Sequence, residues 1–348
     1  MNAVLALILI AAMADAPASA TRPPASAPMT PAAGLYGAEQ FAALSETAQV
    51  PENSGVAASR RHRDVYWTHN DSGSGPIRVW AFRLSPDDRR KQIARHLGYV
   101  ELTGASNRDC EDIAMGPGNT IYLFDGGDNP PCKRTDKRIY RLAEPALDPD
   151  GPPIAMRAGF DTARIEYPDP ADPRRPASGP EDRFDAETLL VHPGTGDLYI
   201  VTKRTHHNMP AARVYKLPAA KVAWNSDREH VLAFVADLSS AAMNMVTGGD
   251  IDPAGTRLVL RNYWAAFEYD LPPEKPFDAI FTVRLRVIPL AQQVALLLQG
   301  EGICYTADGR DLVLTTEAPG ERAGGDRRFR VFVVSGARTD TRPAVVGR

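Results

Sequence analysis

One short pattern returns five times along this chain, and it limits what the chain can fold into. A small or acidic pair is followed by a brief apolar strand, a tight turn, a second β-rich strand and then a third strand. The pairs are Ser54-Gly55, Glu111-Asp112, Glu187-Thr188, Gly249-Asp250 and Glu301-Gly302. Glycine punctuates four of the turns, as in Gly116-Pro117-Gly118-Asn119 and Pro193-Gly194-Thr195-Gly196-Asp197. It supplies there the positive φ that tight hairpins require. The second strands, such as Thr120-Ile121-Tyr122-Leu123 and Asp197-Leu198-Tyr199-Ile200, are β-branched and aromatic. Third strands such as Arg138-Ile139-Tyr140-Arg141-Leu142 and Arg213-Val214-Tyr215-Lys216-Leu217 alternate apolar with charged residues, as half-exposed strands do.

Strand-plus-hairpin units at regular intervals are the pattern of a propeller or a sandwich. Counting favours an all-β chain folded as a β-propeller of five four-stranded blades. A six-bladed ring with one degenerate blade, or an open sandwich, are the alternatives. The fifth repeat has no outer strand after its third. Residues 38–48 supply one, so the expected ring is closed by an N-terminal strand. Residues 38–340 then form a single domain. Its widest spacing, at about 145–184, contains Pro168-Asp169-Pro170-Ala171-Asp172-Pro173 and reads as a surface excursion, since proline cannot pair within central strands.

Residues 1–20 read as a signal peptide, with an apolar core over 4–13 and a small-x-small cleavage pattern at Ala18-Ser19-Ala20. The n-region has no Lys or Arg, and a short buried helix or an N-terminal membrane anchor is the alternative. Residues 21–37 form an Ala/Pro-rich linker, and no second apolar run approaches the length of a membrane span. An exported monomer, periplasmic or secreted, is expected. A formal net charge of −3 with both signs interspersed excludes a dedicated nucleic-acid binder. Export permits disulfides. Cys110 and Cys132 fall at the same end of one repeat and are the expected pair, with Cys304 unpaired; three reduced thiols are the alternative.

In a ring of such units the starts of the first strands and the ends of the second gather at one mouth. The repeat alignment sends Glu111, Asp112, Glu187, Asp250 and Glu301 there from the first strands. From the second strands come His69, Asn70 and Asp71, Asp125 and Asp128, Lys203 and Arg204, Arg261 and Glu317. Crowded carboxylates repel one another and need cations or protons. Calcium, which takes six to eight oxygens, is one answer, with Glu111, Asp112, Glu187, Asp250 and Glu301 as the main ligands and Asn70, Asp125, Asp128 and Glu317 behind them. Pairing with Lys203, Arg204 and Arg261 is the other. Three weaker motifs carry little. Asp125-Gly126-Gly127-Asp128-Asn129 lacks the EF-hand pattern. His206-His207 lacks further ligands at zinc spacing. Ser72 and Ser74 lack a nucleophile elbow.

His69-Asn70-Asp71-Ser72-Gly73, Asp109-Cys110-Glu111-Asp112-Ile113-Ala114, Gly127-Asp128-Asn129, Asp185-Ala186-Glu187-Thr188-Leu189, Thr202-Lys203-Arg204, Val246-Thr247-Gly248-Gly249-Asp250-Ile251 and Gln299-Gly300-Glu301-Gly302-Ile303 together resemble the landmarks of the phytase-like family of exported bacterial propellers, also called esterase-like activity of phytase. The resemblance spans about residues 50–320. It implies a propeller, export and calcium at the acidic mouth, and by the family's name a phosphoesterase or esterase. Cys110 stands where the family usually has a bulky aromatic. Two functions follow. One is a metal-dependent hydrolase of phosphoester or ester substrates, with Lys203, Arg204, Arg261 and His69 as candidate catalytic residues. The other is a non-catalytic propeller with a structural metal, binding a small anionic molecule or a cell-envelope component.

Overall fold

The computed structural model describes residues 30–31, 35–73, 75–203, 212–238, 243–319 and 325–336. The expected signal peptide, most of the linker, Ser74, Arg204 and the His206-His207 pair lie outside the described residues. The chain is all-β. A two-residue strand β1 (Thr30–Pro31) and β2 (Gln40–Ser45) precede five antiparallel units.

The first unit is β3 (Asn53–Ala58), β4 (Val65–Asn70), β5 (Pro76–Arg83) and β6 (Ile93–Ser106). The second is β7 (Cys110–Gly116), β8 (Thr120–Asp125) and β9 (Arg138–Ala143); after β10 (Ile154–Ala158) it is completed by β11 (Asp161–Glu166). The third is β12 (Ala186–Val191), β13 (Leu198–Thr202) and β14 (Arg213–Leu217), completed after β15 (Glu229–Val231) by β16 (Ala233–Asp237). The fourth is β17 (Val246–Ile251), β18 (Arg257–Asn262), β19 (Ala265–Asp270) and β20 (Leu285–Pro289). The fifth has β21 (Gly300–Tyr305), β22 (Leu312–Thr316) and β23 (Arg330–Val334) from the end of the chain and takes β2 as its outer strand.

The first strands touch in a cycle: β3 against β7, β7 against β12, β12 against β17, β17 against β21 and β21 against β3. Strand alternation explains how. On β7 and β8, Ile113, Met115, Ile121 and Leu123 face the first unit, while Ala114, Tyr122 and Phe124 face the third. Each unit is therefore apolar on both faces, and one hydrophobic cluster fills each of the five interfaces. Every fully buried Val, Leu or Ile in them contributes about 1.5–3 kcal/mol. Burial falls away outward. Every residue of β3, β7, β12 and β21 is buried, whereas β10 has no buried residue and β16 only one.

The segment 145–184 is less of an excursion than its prolines suggest. Asp161–Glu166 is a sheet strand, and Ile154–Ala158 pairs in parallel with β6. Gly98 permits that second pairing: at φ +110° it lies so close to Ile154 that a Cβ would meet the Ile154 carbonyl. The prolines of Pro168-Asp169-Pro170-Ala171-Asp172-Pro173 sit beyond β11, where Pro168 bridges to Pro176.

Closure is reinforced beside the sheet. β2 pairs antiparallel with β23 and, at Leu44 and Ser45, in parallel with β6, so the last and first units share one continuous sheet. Phe41 meets the Phe332 ring edge-on at 5.7 Å. Just before β2, the buried Glu39 carboxylate accepts from the Gln292 backbone N–H at 2.8 Å and from the Gln293 side chain. Gln293 also accepts from the guanidinium of the fully buried Arg261 at 3.1 Å.

Deleting residues 1–48 removes β2 and bares the β23 edge, which invites aggregation. We expect that variant to be insoluble or to melt at least about 10 °C below the full chain, while deletion of residues 1–33 shifts melting by only a few degrees. Equal melting temperatures for the two deletions would overturn closure by β2.

Candidate functional site

Every first strand slips register against its second strand at the same end. The slips lie between Asn53 and Val56, Cys110 and Asp112, Ala186 and Thr188, Val246 and Gly248, and Gly300 and Ile303. A bulge leaves a residue unpaired and re-aims its side chain. The unpaired residues include Glu111, Glu187 and Glu301. All three are buried, and with them three of the expected site residues come together at one mouth.

Glu111 and Glu187 converge with Asp185, which precedes β12. One carboxylate oxygen from each lies within 4.8 Å of the others. Asp185 is held in place: its Oδ1 accepts from the Asp128 N–H at 2.9 Å and its carbonyl accepts from the Lys203 N–H at 2.9 Å. Its Oδ2, like Glu187 Oε2 and Glu301 Oε2, is buried with no hydrogen-bond partner among the described residues. Gly127 flanks Glu111 so closely that a Cβ there would meet Glu111 Oε1 and Asp109 Oδ2.

Among the described residues, one cation answers these charges directly. The Lys203 ammonium pairs with Glu187 Oε1 and stands 5.5 Å from the Tyr263 ring centre. Burial, and then Glu187, Asp109 and Asp185, push the Glu111 carboxyl well above its usual range. Burial, with Glu301 and Asp185, raises Glu187 despite Lys203. Burial lifts Glu301 to about 7, partly offset by Lys203 and Arg261, and burial with Glu301 and Asp71 lifts Glu317 to about 8. Burial and neighbouring carboxylates lift Asp109 to about 6 although Arg134 opposes them. Burial disfavours charge on Lys203, but Glu187, Tyr263 and Glu301 outweigh it and the ammonium is held upward.

Other expected site residues are spent elsewhere. Asp112 is not a mouth ligand: its Oδ1 accepts from the Ile113 N–H at 2.8 Å and its Oδ2 from the Leu189 N–H at 2.9 Å, tying the second unit to the third. Asp250 does the same for the fourth and fifth units, accepting from the Tyr305 N–H at 2.9 Å. The bulges show why. Thr247, not Gly249, stands where Glu111 and Glu187 stand, so the repeat alignment was two residues off in the fourth unit and Asp250 lies deeper in its strand. Asp125 is paired with Arg134 at 2.7 Å and Asp128 with the buried Lys137 at 2.6 Å. The glycine-rich loop between them is thus an ion-paired turn. Arg134 and Lys137 escaped sequence reasoning because they fall in a loop outside the repeat.

His69 is buried and committed to its own unit. Its Nε2 accepts from the Gly55 N–H at 3.2 Å, its Nδ1 donates to the Asn70 carbonyl at 3.0 Å, and burial lowers its pKa to about 4. Asn70 uses its amide to hold residues 49 and 52. Arg261 is sealed under the mouth, donating to the carbonyls of Gly302 and Thr315 at 3.2 and 3.4 Å; burial depresses its pKa to about 10. The Cys110–Cys132 disulfide does not form. Both are buried free thiols, Cys110 packed in the core between the first two units and Cys132 donating to the Asp128 carbonyl at 2.9 Å. Cys304 is free as well. Beside the mouth a surface cleft of about 480 Å3 is lined by Asn70, Ser72, Asn107 and Arg327 among others, and none of the three converging carboxylates lines it.

The chain matches no protein-family sequence profile, and no curated protein sequence matches it. Solved structures with a similar course include the calcium and iodide structures of the Trichoderma reesei carbohydrate-active enzyme of family AA12. They are 12% and 11% identical, each covers 81% of this chain and 80% of its own, and both have TM-scores of 0.40. A candidate 6-phosphogluconolactonase from Bacteroides uniformis is 12% identical over 78% of this chain and 66% of its own, with a TM-score of 0.32.

The raised carboxyls make a signed prediction. A folded-state pKa above the unfolded value means that the native protein binds more protons, so stability is greatest at low pH and is lost as pH rises through the folded pKa. In chelator, stability should therefore fall between about pH 4.5 and 8, with Glu301 alone accounting for roughly 3 kcal/mol. Urea unfolding across that range checks it. Glu301→Gln should flatten the profile, and a wild-type profile that rises with pH would contradict the assignment.

Proposed function

We propose that this chain is an exported five-bladed propeller of the phytase-like kind that holds a calcium ion at its acidic mouth and hydrolyses small anionic esters there. The observation that carries the reading is the convergence of Glu111, Asp185 and Glu187 with buried carboxylate oxygens left unpartnered. A buried carboxylate without a partner is costly. A divalent ion together with the Lys203 ammonium would balance the three charges. The donor set is all oxygen, without Cys or His, and suits a hard cation. Calcium, which accepts irregular oxygen cages more readily than magnesium, fits buried bulge residues best. Export and family membership rest on the residues 1–20 pattern and the motif run.

When bound, such an ion would polarise a phosphoryl or carbonyl oxygen and lower the pKa of a water. The chain's own groups do the rest. Glu111, Asp185 and Glu187 would hold the ion. Lys203 brings a fixed positive charge next to Glu187 for an anionic group. Glu301 and Glu317, with pKa values of about 7 and 8, can hold or release a proton near neutral pH.

Ligand linkage gives about 2.7 kcal/mol of stabilisation when calcium is a hundredfold above its dissociation constant. Asp185→Asn keeps the Oδ1 acceptor while removing one charge, so it should cancel most of that gain and raise stability in chelator by relieving repulsion. Thermal unfolding of both proteins, each in calcium and in chelator, tests the site. A panel of phosphomonoesters, carboxylic esters and lactones then tests turnover. No calcium shift in wild type would sink the metal site. A shift without turnover would leave a binding propeller.

A further inference from the structure

We propose that Trp264 sets the substrate class of the mouth, as a stacking platform for the ring-bearing part of an anionic ester whose charged end is held at the carboxylates. The inference rests on the calcium reading above and adds the part of the ligand that the carboxylates do not address.

Trp264 is 45% exposed, whereas Trp67 and Trp80 are buried and Trp224 is half-buried. Its place is at the mouth. The preceding residue, Tyr263, has its ring centre 5.5 Å from the Lys203 ammonium, and the charges of Glu301 and Glu187 bear on its hydroxyl. The two rings meet edge-on, with centres 6.1 Å apart and planes at 81°. The turn that carries the indole is fixed. The backbone N–H groups of Trp264 and Ala265 both donate to Oδ1 of the buried Asn262, at 2.9 and 3.0 Å. A platform fixed by its own turn loses little freedom when a ligand covers it.

Further exposed apolar side chains follow along the chain. Val294, Leu296 and Leu297 are exposed on the segment that runs into Gly300–Tyr305, and Leu297 is 92% exposed. That segment starts beside Trp264, because Ala265 pairs with Pro289. One exposed indole is far smaller than the roughly 800 Å2 per partner that a stable protein interface buries. It matches one ring of a small molecule. The flat indole face discriminates: a ring stacks on it, and a methyl group touches it at one point.

The test titrates phenyl phosphate and methyl phosphate into the full chain in calcium, by calorimetry. Stacking on an aromatic side chain contributes about tenfold or more in affinity. Phenyl phosphate should therefore bind wild type about tenfold more tightly than methyl phosphate. Trp264→Ala should abolish the difference and leave methyl phosphate binding unchanged, and Trp264→Phe should restore most of it. Trp264→Leu, apolar but not flat, should lower the ratio to about twofold and serves if the alanine variant does not fold. Equal binding of the two phosphates to wild type, or a ratio unchanged in Trp264→Ala and Trp264→Leu, would overturn the proposal while leaving the calcium site standing. If neither phosphate binds in calcium, the proposal falls together with the reading beneath it.

Discussion

Where each first strand begins, the ladder to its neighbour loses step, and that slip decides what faces the centre. A regular strand would send alternate residues into the two interfaces between units. The bulge frees one residue from that choice. At Glu111, Glu187 and Glu301 the freed residue is a carboxylate, and at Thr247 it is a hydroxyl donating to the Gly300 carbonyl at 3.0 Å. The remaining slip frees Ser54, which stays buried and donates its hydroxyl to the Glu111 carbonyl at 2.6 Å. Two of the five positions thus stitch adjacent units together, and three concentrate charge. Backbone geometry repeats while the chemistry does not.

The charged positions stand out because several buried carboxylates elsewhere have a cation of their own. Asp128 has Lys137, Glu166 has Arg183 at 2.8 Å, and Glu268 has both Arg257 and Arg286. A buried pair of this kind roughly balances its own desolvation. At the mouth, among the described residues, Lys203 alone pairs directly with the converging carboxylates, and the nearby Arg261 is committed to carbonyls and Gln293. The imbalance is local, and it coincides with the bulges.

The strands were legible because turn glycines and alternation are local signals. The third strands at 138 and 213 begin where alternation put them. Bulges are not local signals. Nothing in Val246-Thr247-Gly248-Gly249-Asp250 says which residue slips, so Asp250 was sent to the mouth instead of to the Tyr305 amide. Asp185 stood one residue before the strand and outside the repeat, although the spacing Asp185-x-Glu187 is what puts two carboxylates on one side of a strand start. The cysteines misled for a related reason. A shared end of one unit does not give two thiols a common face, and Cys110 points into the interface between units.

The strand that completes the fifth unit is made before any of the five units and needed last. As the chain emerges, the first four units can each find all of their strands among residues already present. Residues 40–45 cannot find theirs until residues 330–334 arrive. Pairing so distant in sequence is slow, because loop-closure entropy is met before any contact repays it. During that interval the open ring exposes the apolar face that Val313, Val331 and Val333 later bury. Assembly is therefore gated at its final step, and whatever keeps residues 40–45 solvated until then sets how much of the protein reaches its finished form rather than an aggregate.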